Sequence, residues 1–569
     1  MRKLGKLLLA MTVLMYCSVM KAANPDWLKN AIFYQIYPST FQDSDGDGIG
    51  DIPGIISRLD YLSSLGITGI WLNPLYESGW LDGGYDVIDY YKVDKRMGTN
   101  VDLERLLDEA HKRGIRVFLD IVAGHTSNES EWFKRSMNSG AGEKYSDYYI
   151  WTDTIPETEK ALIRERQLSG HPESDSRGNW VEINAPKGKY YKKNFFECQP
   201  ALNYGYANPD PQKPWEQSVD APGPKAVLRE LKDIMAFWFD KGVDGFRVDM
   251  APSLVKNDPN EQATIKVWQG IRKWMDQEYP GHSMVAEWGN ISHAIPAGFS
   301  MDFYLPGQCW AYRDMMQNPD CVGALPGAYF EESGRGRVDR YSTLFKQDMD
   351  TLRKYDAYVA FPTACHDFRR LNNGTRNTTQ QLKVAMTFLM TQPGIPFIYY
   401  GDEIGLRYIE GLPSKEGSNE RAGTRTPMQW TNGQNAGFST CRPDDIYLPV
   451  NTFGGTISVE AEEKDPGSLL NFTRELLRVR KSSDALGSNG DWEFISDVAQ
   501  PYPMVYVRSL GNEKYLVALN PRKKKASATI PNQGAVECVL HVGKEKYTKA
   551  KGFDRISLDG VSCAIYRVK

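Results

Sequence analysis

Between about residue 31 and residue 482, short apolar segments alternate with stretches of helical period, and that alternation restricts the chain to a parallel sheet built from repeated β–α units. Eight strands are expected: AIFYQIYP (31–38), TGIWLNP (68–74), RVFLDIV (116–122), GFRVDM (245–250), MVAEW (284–288), MDFYL (301–305), YVAFPTA (358–364) and PFIYYGDEI (396–404). The helical stretches between them include 102–114 and 226–242, and both end at a glycine, as helix C-termini often do. Eight such units close into a (β/α)8 TIM barrel, whose catalytic groups sit at the C-terminal ends of the strands. Asp120, Asp249 and Glu287 fall at or near the ends of strands three, four and five.

Roughly 120 residues separate strand three from strand four, far more than a crossover helix needs. The first part, 126–203, is polar and rich in Tyr, Asn and Gly, and reads as an inserted domain over the active face. Beyond the last helix the pattern turns to short alternating strands (504–510, 514–520, 563–569), the mark of a C-terminal all-β sandwich domain. The expected organisation is a signal peptide over 1–23, barrel over 24–125, insertion over 126–203, barrel again over 204–486 and β domain over 487–569.

The opening MRKLGK followed by LLLAMTVLMY has the order of an export signal, with an apolar run too short to span a bilayer. Cleavage is expected at Ala22 or Ala23, giving a periplasmic or secreted protein. Tyr16 before Cys17 disfavours a lipid anchor, which needs a small residue there. Seven cysteines follow Cys17, with no C-x-x-C spacing; Cys538 and Cys563 are the pair to test first for a disulfide. Net charge is −4 with no sustained basic tract, which excludes nucleic acid and anionic membrane as expected partners.

GFRVDM sets Arg247 and Asp249 on one face of a strand. A guanidinium beside a carboxylate favours its ionised form, as suits a carboxylate that attacks carbon. A structural ion pair would look the same in isolation. A second acidic site, VAEWGN, places Glu287 before Trp288, and a carboxyl packed on an aromatic is desolvated and stays protonated. One ionised and one neutral carboxyl are what cleavage of a glycosidic bond requires.

Eight motifs in order carry a resemblance: YQIYPSTFQDSDGDGIGD (34–51), GIWLNP (69–74), GGYDVIDY (83–90), DIVAGH (120–125), GFRVD (245–249), AEW (286–288), HD (366–367) and RTPMQW (425–430). In these the chain resembles the α-amylase superfamily of glycoside hydrolases, and the branch with oligo-1,6-glucosidases, α-glucosidases, sucrose isomerases and trehalose synthases in particular. The resemblance implies Asp249 as nucleophile, Glu287 as general acid then base, and Asp367 as the carboxylate that grips sugar hydroxyls. A retaining reaction of this kind needs the two catalytic carboxyls about 5 to 5.5 Å apart. Arg247 would orient Asp249, and His125 and His366 would donate to hydroxyls of the glucose. Tyr85 would stack on that sugar, with Asp86 and Arg425 closing the site into a pocket for chain ends. In the first loop, Asp43, Asp45, Asp47, Ile49 and Asp51 alternate with small residues and would hold one structural Ca2+, as the family does there.

Four positions depart from the pattern. Gly124 stands where the family usually has asparagine, Ala201 replaces an acid in QPALN, Cys365 replaces the asparagine before His366, and Met250 follows the nucleophile. The expected activity is exo-hydrolysis of short α-linked gluco-oligosaccharides by a monomer. A sugar isomerase or transglucosidase shares the same intermediate and remains open. A non-catalytic sugar-binding barrel would typically lack the carboxylates present here.

Overall fold

The computed structural model describes residues 24–168, 175–316, 328–331, 338–452 and 457–569. The expected signal peptide over 1–23 with Cys17, and Cys321, lie outside them.

All eight expected strands form. They are β1 (Phe33–Ile36), β2 (Gly69–Leu72), β3 (Arg116–Ile121), β4 (Gly245–Val248), β5 (Ser283–Ala286), β6 (Met301–Phe303), β7 (Tyr358–Pro362) and β8 (Ile395–Tyr399). They pair in parallel, in chain order, and β8 closes on β1. Each strand is shorter than its apolar segment, because the ends of those segments turn out of the sheet to carry the site.

The barrel interior is filled by Phe33, Trp71, Phe118, Phe303 and Phe397, with Phe33 and Phe397 stacked at 4.6 Å. Such bulk is possible because Gly245 yields space: a Cβ there would stand 2.4 Å from the Phe118 ring. Around the barrel pack helices such as Asn100–Lys112, whose Thr99–Asp102 capping box closes its N-terminus, and Pro222–Phe239, which begins on the fixed φ of a proline.

In the segment between β3 and β4, helices Glu131–Asn138 and Glu157–Leu168 accompany an antiparallel sheet ordered Trp151–Thr152, Gly188–Lys192, Trp180–Ala185. The C-terminal region forms two antiparallel sheets of five and three strands. Alternation along the five-stranded sheet sends Val505, Leu516, Ala564 and Tyr566 toward the smaller sheet and Met504, Tyr506, Leu519 and Ile565 toward the barrel. That alternation also decides the cysteines. Cys538 lies opposite Tyr566 on the face toward the small sheet, and Cys563 opposite Val542 on the face toward the barrel, so no bridge forms. Every described cysteine is a free thiol. No described helix is long and apolar enough to cross a membrane.

Candidate active site

The C-terminal ends of the strands bring three carboxylates around Arg247 and a fourth, Asp367, into the same pocket. Arg247 Nη1 lies 2.8 Å from Asp120 Oδ1 and 2.9 Å from Asp249 Oδ1, and its Nη2 lies 2.7 Å from Glu287 Oε2. Asp367 follows β7, joined through Oδ2 to His366 Nε2 at 3.0 Å and through Oδ1 to Arg421 Nη1 at 2.8 Å. Met250 turns the chain out of β4 at φ 41°, ψ 46°, a left-handed conformation that costs a β-carbon residue on the order of 1–3 kcal/mol. The turn aims the Met250 N–H at Glu287 Oε2, 2.9 Å away. Strain here is exchanged for a fixed general-acid candidate.

The electrostatics differ from the expectation that Arg247 depresses Asp249. Burial dominates and pushes Asp249 up to about 7 against Arg247, with repulsion from Asp120 and Asp367 adding to it. Burial likewise raises Glu287 to about 7 and Asp120 to about 6. A single guanidinium shared by three carboxyls cannot hold all of them ionised, so the cluster retains a proton near neutrality. Asp367 goes the other way: burial would raise it, but His366, Arg421 and Arg425 outweigh that and hold it well below the usual range. Since burial lowers His366 itself to about 4, the two arginines supply the positive charge at neutral pH.

Tyr85 stacks on His366 at 5.3 Å, accepts from Asn73 Nδ2 and donates to Asp120 Oδ2, each at 2.8 Å. His366 Nδ1 faces the Gln35 amide at 3.0 Å. Burial lowers His125 to about 3, and its nitrogens meet the Tyr85 carbonyl (3.0 Å) and the Asn194 amide (3.1 Å). Trp288 is not among the residues that line the pocket with Glu287. Its indole N–H donates to Glu261 at 2.7 Å.

These groups open into a pocket of about 420 Å3, within the range of about 300–1,000 Å3 usual for small-ligand sites. Asp249, Glu287, Asp367, His125, His366 and Tyr85 line it, and the segment after β3 contributes Phe195, Phe196 and Gln199. Asp86 and Arg425 stand elsewhere than expected. Asp86 is wholly buried behind the wall, its Oδ1 accepting from the Leu81 and Asp82 N–H groups and from Ser78, and burial raises it to about 6. The acid in the wall is Asp82, paired with Arg421 Nη2 at 2.8 Å and with the Gln199 amide at 2.9 Å. Arg425 lies beneath, its Nε on the His366 carbonyl and its Nη2 3.3 Å from Asp367. Sequence reading missed Asp82 and Arg421, each within four residues of the position it favoured.

The departures now have physical surroundings. A Cβ on Gly124 would stand 2.8 Å from Asn194 Nδ2 and 2.9 Å from Ser253 Oγ, so glycine lets the insertion's Asn194 approach His125. Lys256 donates to Asn194 Oδ1 from below, and burial lowers its ammonium to about 7. Ala201 and Cys365 are both buried and outside the pocket wall.

In the first loop, oxygens of Asp43, Asp45 and Asp51 lie within 4.8 Å of one another. Asp47 is turned aside, accepting the Ile49 N–H at 2.8 Å. No lysine or arginine among the described residues pairs with these acids, and burial followed by mutual repulsion raises Asp47 and Asp51. Hard oxygen donors gathered without a cation of the chain's own fit a calcium ion.

Residues 35–489 match the α-amylase catalytic-domain family. The chain belongs to that family. Among its α-amylase relatives, a trehalose synthase/amylase of Mycolicibacterium smegmatis is 33% identical over 522 residues, covering 86% of this chain and 82% of the relative. An oligo-1,6-glucosidase of Heyndrickxia coagulans is 31% identical over 557 residues, covering 89% and 94%. The α-amylase-type fold extends to the crystal structure of isomaltulose synthase from Erwinia rhapontici, which superposes with a TM-score of 0.77 at 26% identity, covering 96% and 100%.

Proposed function

We propose that this α-amylase family protein is an exported, monomeric, retaining α-glucosidase that releases glucose from the ends of short α-1,6- or α-1,4-linked gluco-oligosaccharides. The observation that supports end-on attack is the Asp82–Arg421–Asp367 chain of ion pairs, which walls one side of the pocket.

Asp249 attacks the anomeric carbon while Glu287 gives its proton to the departing glycosidic oxygen, so the carbon–oxygen bond breaks as the glucosyl–Asp249 ester forms. Glu287, now ionised, takes a proton from water, whose oxygen displaces Asp249 and restores the starting configuration. Arg247 holds both carboxyls. Asp367, kept ionised by Arg421 and Arg425, accepts from sugar hydroxyls and stabilises developing positive charge. Asp43, Asp45 and Asp51 would hold one Ca2+, with the Ile49 carbonyl and, once turned toward the ion, Asp47 adding oxygens, and the ion would supply rigidity to the first loop.

The second reading is a sugar isomerase or transglucosidase, which returns the glucosyl group to a sugar hydroxyl rather than to water. It is favoured by the similar proteins named trehalose synthase and isomaltulose synthase. Timed product analysis of the protein from residue 24 with isomaltose, maltose, panose, sucrose and trehalose separates the two. Free glucose as the main product supports hydrolysis, a new disaccharide at constant total disaccharide supports isomerisation, and unchanged sugars throughout defeat both.

A further inference from the structure

The geometry points to a sugar-binding subsite at Trp310 that receives the third unit of an oligosaccharide whose terminal glucose occupies the catalytic pocket. The inference rests on the proposed function for the identity of the ligand, and on the structure for the place.

Trp310 opens the short helix Trp310–Met316 that follows β6, and 57% of its surface is exposed. No other described tryptophan stands out as exposed. A single exposed apolar residue is ordinary on a protein surface. This one is set in a cleft of about 580 Å3 whose walls carry Asn290, Arg340, Thr343 and Gln347. The Arg313 guanidinium lies over the indole ring at 4.8 Å and fixes its plane. A rigid apolar plane beside a ring of hydrogen-bonding side chains matches a pyranose, which is apolar on its faces and polar around its edge.

The cleft adjoins the catalytic pocket. Gln308 lines both, and it packs against Gly289, two residues beyond Glu287; a Cβ on Gly289 would fall 2.2 Å from Gln308 Cβ. Asp82, Arg421 and Gln199 close the pocket on the side of the terminal sugar. A longer substrate therefore leaves past Glu287, the side where the leaving oxygen is protonated, and reaches Gln308 and then Trp310. The active site is matched to trisaccharides and longer chains over disaccharides.

The test compares wild type, Trp310→Ala and Trp310→Phe on p-nitrophenyl α-glucoside, isomaltose and maltose against panose, isomaltotriose and maltotriose. The expected result for Trp310→Ala is a tenfold or larger rise in KM for the trisaccharides alone, with kcat/KM on the aryl glucoside and disaccharides unchanged and Trp310→Phe restoring most of the loss. Equal effects on all lengths, or none, would overturn the subsite. Titration of panose into the Asp249→Asn protein with and without Trp310→Ala gives the same answer without turnover: a tenfold weaker Kd supports the subsite and an equal Kd refutes it, even if the wild type hydrolyses none of these sugars.

Discussion

Arg247 and Glu287 are in direct contact, Nη2 to Oε2 at 2.7 Å, while Nη1 of the same guanidinium holds Asp249 at 2.9 Å. One cation thus serves both members of the proposed catalytic pair, and burial brings both carboxyls to about 7. Turnover needs one of them ionised and the other protonated, so kcat/KM should trace a narrow bell centred near neutrality. A flat profile from pH 4.5 to 9.5 would contradict the shared-proton arrangement. Stability should follow. A carboxyl whose folded pKa is raised contributes stability that is present in full below its unfolded value and is lost as pH climbs through the folded one. Here that window runs from about 4 to about 7. Glu287→Gln should therefore gain on the order of 2–3 kcal/mol relative to wild type at pH 8 and little at pH 4, read from denaturant midpoints at the two pH values.

Asp82→Asn and Asp86→Asn should behave oppositely, although the residues are four apart. Loss of the Asp82 charge leaves Asp367 as the one carboxylate on Arg421, whose other acceptors are the Ser418 and Gly417 carbonyls, and frees one side of the pocket. A charged hydrogen bond is worth about 1.5–3 kcal/mol, so kcat/KM should fall roughly 10- to 100-fold. In Asp86→Asn the amide oxygen still accepts from Leu81, Asp82 and Ser78, and no pocket contact is lost. Its kinetics should match wild type. Kinetics with both variants on a single disaccharide settle the matter, and a large loss in Asp86→Asn with none in Asp82→Asn would return the role to Asp86.

The same pair of aspartates marks the limit of what could be read in the sequence. Strand positions were legible because a barrel strand must be apolar along its whole length. The carboxylates proposed as catalytic were legible as a cluster because they end such strands. In the GGYD turn the periodicity breaks: Gly83 and Gly84 both take positive φ, 57° and 100°, and the reversal presents Asp82 and Tyr85 to the pocket while Asp86 points back. Arg421 and Arg425 lie on one 3-10 helix, Asn419–Thr424 and its C-cap, where three residues per turn put positions four apart on different faces, a geometry the sequence does not announce. The pKa of Asp249 was misjudged for a different reason. Adjacency in sequence revealed its arginine, but neither the other two carboxyls on that arginine nor the burial of all four groups has a local signature.

Calcium should act on stability and leave chemistry alone. Asp43, Asp45 and Asp51 crowd together at one loop, and an ion that binds only the folded state at 100 times its Kd adds about 2.7 kcal/mol. EDTA should lower the thermal midpoint, Ca2+ should restore it, and Asp45→Asn should abolish the difference. At a temperature where the chelated protein remains folded, kcat should be unchanged. Identical midpoints with EDTA and with millimolar Ca2+ would remove the ion from the account.

Gly124 offers the last test, because restoring the family's asparagine there should harm this protein. Any β-carbon at 124 collides with Asn194 and Ser253, and Asn194 is the side chain that faces His125 Nδ1 and accepts from Lys256. Gly124→Asn should cost about 1–3 kcal/mol of stability through overpacking and raise KM as His125 loses its neighbour. Asn194→Gly should also lose stability alone, since Lys256 is left with one fewer acceptor. Combined, the two substitutions should cost less than their sum, because the second vacates the space the first requires. Strict additivity in that double-mutant cycle, measured by denaturant unfolding, would mean that Gly124 is small for a reason other than the approach of Asn194.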